Sequence, residues 1–138
     1  MIEPKFIAIS GGMDPVHGGQ IDYIDEASTH GKVIIFLNTD AWLMRKKGYV
    51  FMKWHERAKI LRAMTNVFEV VPADDEDDTV CASIEKYKPD LFGKGGDRTK
   101  ENTPELAICT KFGIPVIFGL GGDKSNSSSE LVANVRKS

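Results

Sequence analysis

The sequence predicts an α/β fold, a doubly wound sheet of five parallel strands with helices on both faces, formed by one domain over residues 1–138. Two observations predict it. Five apolar runs alternate with segments of helical spacing, the pattern of strand–helix–strand units whose helices cover both sheet faces. The second run, Val33-Ile34-Ile35-Phe36-Leu37, is continuously apolar and β-branched, as befits a strand buried on both sides in the sheet centre.

The elements follow in order. The first strand runs from about Lys5 to Ser10 and passes through Gly11-Gly12 and Pro15 into a helix beginning near His17, with Ile21, Ile24 and Ala27 on one face. Gly31 is placed to cap its C-terminus. Asn38-Thr39-Asp40 closes the second strand, and a long connection from Ala41 to Met52 carries Arg45-Lys46-Lys47-Gly48. The spacing of Trp54, Ala58, Leu61 and Met64 predicts a second helix over about Lys53 to Asn66, before a third strand, Phe68-Glu69-Val70-Val71. Asp74 to Asp78 should stabilise, through its dipole, the start of a third helix carrying Val80, Ile84 and Tyr87. Pro89 stops that helix before a short strand, Asp90-Leu91-Phe92. A loop from Gly93 to Thr103 leads to a fourth helix with Leu106, Cys109 and Phe112, where Thr103 suits the N-cap and Pro104 the first helical position. Gly113 ends it, and the fifth strand, Ile114-Pro115-Val116-Ile117-Phe118, carries a proline suited to a sheet edge. A loop rich in Gly and Ser, Gly119 to Ser129, precedes a short closing helix.

The bulk numbers exclude several function classes. A hydrophobic content of 41% and a charged content of 28% are those of a globular domain. A net charge of −2 gives no pull towards nucleic acid. No run approaches the ~18 apolar residues of a membrane span, and the N-terminus lacks the basic and apolar regions of a signal peptide, so the reading is cytoplasmic. Cys81 and Cys109 fall at apolar helical positions without metal-like spacing and are read as reduced core thiols.

Chemistry concentrates in Ser10-Gly11-Gly12-Met13-Asp14-Pro15-Val16-His17-Gly18-Gly19-Gln20. Glycines let the backbone approach a bulky ligand, and a helix start presents N–H groups with partial positive charge, which together make an anion site. His17 and Gln20, three apart, share a helix face. The dinucleotide fingerprint G-x-G-x-x-G and the phosphate loop G-x-x-x-x-G-K-[ST] are both absent. In open sheets of this kind ligands bind beyond the carboxyl ends of the strands. His17, Arg45-Lys46-Lys47, Lys94-Gly95-Gly96-Asp97-Arg98 and Ser127-Ser128-Ser129 each follow a strand, so four polar segments are predicted to converge on one edge.

The run G-G-M-D-P-V-H-G-G-Q resembles the G-x-F-D-x-x-H-x-G-H signature of the cytidylyltransferase-like nucleotidyltransferases, with Gln20 where the signature has its second histidine. The resemblance implies a Rossmann-like sheet and the joining of an NMP from CTP or ATP to a sugar- or polyol-phosphate, with release of pyrophosphate. It implies that Gly11, Gly12, Met13, Asp14 and Gln20 bind the nucleotide while His17 donates to the α-phosphate. As a neutral donor, Gln20 would slow the enzyme; the alternative is a nucleotide-binding module that has lost catalysis. Lys46 or Lys47, and Arg57 in Trp54-His55-Glu56-Arg57, match by position the family's phosphate-contacting cations. Phe92-Gly93-Lys94-Gly95-Gly96-Asp97 is similar to the V-K-G-G-D segment of heptose-1-phosphate adenylyltransferases, which would put Lys94 near phosphate and Gly96 and Asp97 against the nucleoside. Ser127, Ser128 and Ser129 would hold the β- and γ-phosphates at the last helix. The implied cofactor is Mg²⁺ brought by the triphosphate, with no metal site of the protein's own. Relatives of this family are often homodimers.

Overall fold

A computed structural model describes residues 5–95 and 103–121. Gly96, Asp97, Ser127, Ser128, Ser129 and the closing helix lie outside the described residues. The elements run β1 (Phe6–Gly11), α1 (Gly18–Ser28), β2 (Lys32–Leu37), α2 (Asp40–Lys47), α3 (Trp54–Arg62), β3 (Val67–Pro72), α4 (Cys81–Tyr87), β4 (Leu91–Gly95), α5 (Leu106–Lys111) and β5 (Val116–Leu120).

The five strands form one parallel sheet in the order β3-β2-β1-β4-β5. The chain winds outward from β1 through β2 to β3, then crosses back to lay β4 on the other side of β1. The order therefore reverses between β1 and β4, and the crevice at their carboxyl ends is where open α/β sheets take ligands.

Strand alternation divides the core into two layers. On one face Ile7 and Ile9 of β1 and Val33, Ile35 and Leu37 of β2 pack with Ile24 and Ala27 of α1 and Ala58 and Leu61 of α3. On the other, Ala8 and Phe36 meet Val80, Ile84 of α4 and Cys109 of α5. Both faces of the sheet are thus covered, which is why β2 could be uniformly apolar. β2 lies between two neighbours as expected, although the middle of the sheet is β1.

Several local expectations are corrected. The connection after β2 contains the eight-residue helix α2. Its apolar residues, Trp42-Leu43-Met44, are consecutive and show no helical period. Its signals are terminal: Thr39 caps the start, Asp40 sits in the first turn, Arg45-Lys46-Lys47 fill the last, and Gly48 follows with φ of 80°. α3 stops at Arg62, short of Asn66. Gly31 is not a cap, since α1 closes on Thr29; its Cα packs so near the Lys5 carbonyl that a Cβ would lie 2.8 Å from that oxygen. Pro115 precedes β5 and accepts the Phe92 amide through its carbonyl, while β5 is the sheet edge predicted. α5 starts at Leu106, with Glu105 and not Thr103 at its N-cap. Of the two cysteines, Cys109 is buried and Cys81 half-buried, and both are free thiols. Burial, followed by the nearby Glu105 charge, pushes the Cys109 thiol up to about 11, which keeps it protonated and inert. Among the described residues no helix is long and apolar enough to cross a membrane.

Gly93 in β4 leaves room for core side chains of β1 and β5. A Cβ there would stand 2.4 Å from Leu120 Cδ1 and 3.1 Å from Ile9 Cγ2, both in the core. Overpacking of this kind costs ~1–3 kcal/mol. Gly93→Ala should therefore lower unfolding stability by that amount in a urea titration, with an unchanged m-value.

Candidate active site at the carboxyl ends of β1 and β2

The glycine turn leaves β1 under tight constraint. The Gly11 carbonyl accepts the Asn38 amide at 3.0 Å, joining the exits of β1 and β2. A Cβ on Gly12 would meet Leu43 Cδ2 at 3.1 Å, so α2 packs directly on the turn. Met13 takes φ of 50° with its side chain in the core, which leaves its backbone as the part available to a ligand. Asp14 is fully buried, and its carboxylate accepts the amides of Phe51, at 2.7 Å, and Met52. That carboxylate therefore ties down the loop between α2 and α3 and does not face the crevice as a nucleotide ligand would. The Asp14–Pro15 peptide is cis.

His17 is the N-cap of α1. Its Nδ1 accepts the Gly19 amide at 3.1 Å, and the Gln20 side chain reaches back to accept the His17 amide at 2.8 Å. This is a capping box with histidine in the place usually held by serine or threonine. With Nδ1 accepting, the hydrogen-bond network assigns the ring proton of neutral His17 to Nε2, making that nitrogen a donor. Gln20 thus has a structural duty that its family position does not convey: it fixes the backbone on which His17 stands. Gly18, the first helical residue, is exposed, and a Cβ there would meet nothing within 4 Å, so backbone at the helix start lies open to a bulky anion.

Arg57 occupies the centre of this region and is fully buried. Its Nε donates to the Met52 carbonyl at 2.8 Å, and Nη1 to the carbonyls of Gly12 at 2.7 Å and Asn38 at 2.8 Å. Nη2 pairs with Asp40 at 2.7 Å. The sequence reading gave Arg57 a direct phosphate contact; the structure instead has it joining the β1 turn, the β2 exit, the start of α2 and the loop before α3.

The three basic residues ending α2 divide. Arg45 and Lys46 are exposed and lie against Asp78, at 3.1 and 3.7 Å. Lys47 is half-buried, with Asp14 and Arg57 as the charges acting on it. Burial holds its pKa below the ordinary lysine value; the Asp14 charge works against this and the Arg57 charge with it. Position therefore separates two lysines that the sequence left equivalent. Lys94, expected near phosphate, forms a buried pair with Glu105 at 3.0 Å. It thereby links β4 to the N-cap of α5.

The structure thus gathers Gly11, Gly12, His17 and Gln20 around the exits of β1 and β2, with Asp14 and Arg57 in supporting positions, Lys47 at the end of α2, and Lys94 committed to Glu105 on the far side of β1. Sequence reasoning missed the tying roles of Asn38, Thr39, Asp40 and Asp75. Asn38-Thr39-Asp40 carried a readable helix-start signal in Thr39; the buried Asp75 carried none.

The family model described as cytidylyltransferase-like matches residues 8–113, most of the chain. The chain belongs to the cytidylyltransferase-like family. Among the relatives of this cytidylyltransferase-like domain, the bifunctional protein HldE of Geobacter metallireducens is 34% identical over 79% of the chain and 22% of its own length. The HldE of Geotalea uraniireducens is 33% identical over 96% of the chain and 27% of its own length. The chain therefore spans about a quarter of the length of the curated relatives it matches. A lipopolysaccharide core biosynthesis protein from Thermoplasma volcanium shares the fold, with a TM-score of 0.69 and 19% identity over 84% of this chain and 94% of that one.

Removing the Arg57 guanidinium leaves three backbone carbonyls and the Asp40 carboxylate without their donor. Breaking a buried charged network costs ~3–5 kcal/mol, so Arg57→Ala should lose that much by chemical denaturation. Arg57→Lys should recover only a small part, because an ammonium cannot reproduce the planar fork.

Proposed function

We propose that this chain is a nucleotidyltransferase domain that joins an NMP from ATP or CTP to the phosphate of a phosphorylated sugar or polyol and releases pyrophosphate. The observation that carries this reading is the helix start at the reversal of strand order, where a Gly-Gly turn delivers His17 with Nδ1 occupied and Nε2 as the donor. Family membership supports an enzyme of this class. The similarity to bifunctional HldE proteins, together with the Gly-Lys-Gly-Gly-Asp segment, favours the sugar-phosphate acceptor.

In the proposed reaction a phosphate oxygen of the acceptor attacks the α-phosphorus of the NTP in line. The new P–O bond forms as the bond to the bridging α–β oxygen breaks, and pyrophosphate departs with that electron pair. No covalent bond to the protein is required; its task is positioning and the offset of developing negative charge. His17 Nε2–H and the exposed Gly18 backbone at the start of α1 would serve the α-phosphate oxygens, and the Lys47 ammonium the leaving pyrophosphate. Mg²⁺, held by the triphosphate oxygens, would add charge neutralisation. Gln20 favours one competing reading, a nucleotide-binding module without turnover, because the residue at the second histidine position is engaged with the helix backbone.

Incubation with Mg²⁺, each NTP in turn and a panel of sugar and polyol phosphates should release pyrophosphate with one pairing. Nucleotide-dependent shifts in melting temperature without turnover would select the binding module. His17→Ala should lower kcat by ~100-fold, the usual cost of removing a transition-state donor. His17→Asn should restore the helix cap and thermal stability but not the rate. Full activity in either variant would remove the role given to the imidazole.

The lowered Lys47 pKa adds a pH dependence. An ammonium that aids the leaving group acts below its pKa and is lost above it. The alkaline limb of kcat/KM for the NTP should therefore fall at a pH below the ordinary lysine value of 10.5. Lys47→Arg, which stays charged, should shift that limb upward in a pH–rate profile.

A further inference from the structure

Asp74 to Asp78 was assigned by sequence to the start of the next helix, yet α4 begins at Cys81 and carries no acid in its first turn. The run has other partners. Asp75, 2% exposed, accepts three hydrogen bonds from the exit of β2: the Thr39 amide at 2.8 Å, the Thr39 hydroxyl at 2.9 Å and Asn38 Nδ2 at 3.1 Å. The Thr39 oxygen that donates to Asp75 also accepts the Trp42 amide at 3.1 Å and so caps α2. One proton and one lone pair of a single hydroxyl thus run in series from a buried carboxylate to the helix start, an arrangement in which each bond polarises the next.

The other end of α2 is held by the same turn. Arg45 donates from Nη2 to the Asp75 carbonyl at 2.8 Å and from Nε to Asp78 at 3.1 Å, with Lys46 alongside at 3.7 Å. The turn itself is pinned from behind, where the Asp74 amide donates to the buried Ser83 hydroxyl of α4 at 2.7 Å. A helix tied at its cap and along one flank is restrained against sliding and rotation. Two of its three terminal cations pair with Asp78 in the acidic turn, and the third, Lys47, is half-buried and feels the charges of Asp14 and Arg57.

We infer that Asp75 is a positioning residue for the reaction: through the Thr39 cap and the Arg45 flank it sets the rotation of α2, and thereby aims Lys47 at the triphosphate. This rests on the function proposed above, in which Lys47 meets the leaving pyrophosphate. Asp75 acts here through α2, so if it works by aiming Lys47 its effect is largely lost once Lys47 has nothing to offer. A residue acting only on general stability would not behave this way.

The test is a double-mutant cycle in the full chain with the NTP and acceptor pair found active, melting curves confirming that each variant is folded at the assay temperature. Lys47→Met should lower kcat/KM for the NTP by about tenfold. Asp75→Asn, the same shape but with a donor facing the Thr39 or Asn38 donors, should lower it by about fivefold with the same division between KM and kcat. In the Lys47→Met background Asp75→Asn should change the rate less than twofold. Arg45→Met, a surface change that leaves the buried carboxylate intact, should cost two- to threefold with Lys47 present and nothing without it; it decides the question if Asp75→Asn does not fold. Wild-type rates in Asp75→Asn, or a loss equally large in both backgrounds, would overturn the positioning role while leaving the proposed reaction standing. A Lys47→Met enzyme with wild-type rates would strike at the assignment of Lys47 itself, and the inference would go with it.

Discussion

The fixed point of this molecule is a guanidinium with no access to water. Arg57 gathers the carbonyls of Gly12, Asn38 and Met52 and the carboxylate of Asp40 around one planar group. Each of those acceptors belongs to a different segment: the turn after β1, the exit of β2, the loop before α3 and the first turn of α2. Hydrophobic layers hold the sheet and its helices together, but apolar contact is non-directional and does not dictate how a loop leaves a strand. A five-donor fork with fixed angles does. Burying such a charge is costly unless its hydrogen bonds are made, so the segments bound to it cannot drift independently. The shape of the candidate site is in this sense a consequence of one fully buried side chain.

Around it a second set of buried polar groups repeats the same logic. Asp14 holds Phe51 and Met52, and Asp75 holds Asn38 and Thr39. Lys94 is paired with Glu105. Each is charged, each is buried or nearly so, and each joins a strand end to something beyond it. Among the described residues no buried side-chain nitrogen or oxygen lacks a partner. The carboxyl end of the sheet is therefore a tightly bonded polar platform, the kind of scaffold on which the reaction proposed above would position its reactants.

The fold was legible because strand alternation and helix spacing are local signals. Val33 to Leu37 reads as a strand buried on both faces whatever surrounds it, and Ala58 with Leu61 reads as a helix face. α2 escaped because Trp42-Leu43-Met44 has no period, and only its ends announce it. Within the candidate site, the helix start at His17 was legible from its setting after two glycines. The inward turns of Asp14, Arg57 and Lys94 were not, because a charge in a sequence does not reveal which side of the chain it will face. Which way Lys46 and Lys47 face depends on the rotation of a short helix, and Asp75, which bonds the cap of that helix, lies 36 residues from Thr39 in the sequence.

The capping box on α1 has a bearing on how the site can change. Gln20 meets the backbone with an oxygen on a flexible arm, so the helix start is secured from its own third residue. An imidazole at that place could do the same only by turning a ring nitrogen back on the chain, which withdraws that nitrogen from any ligand. Each of the two side chains thus commits one polar atom to the helix backbone, His17 its Nδ1 and Gln20 its Oε1, so a change at either loosens the support of the other.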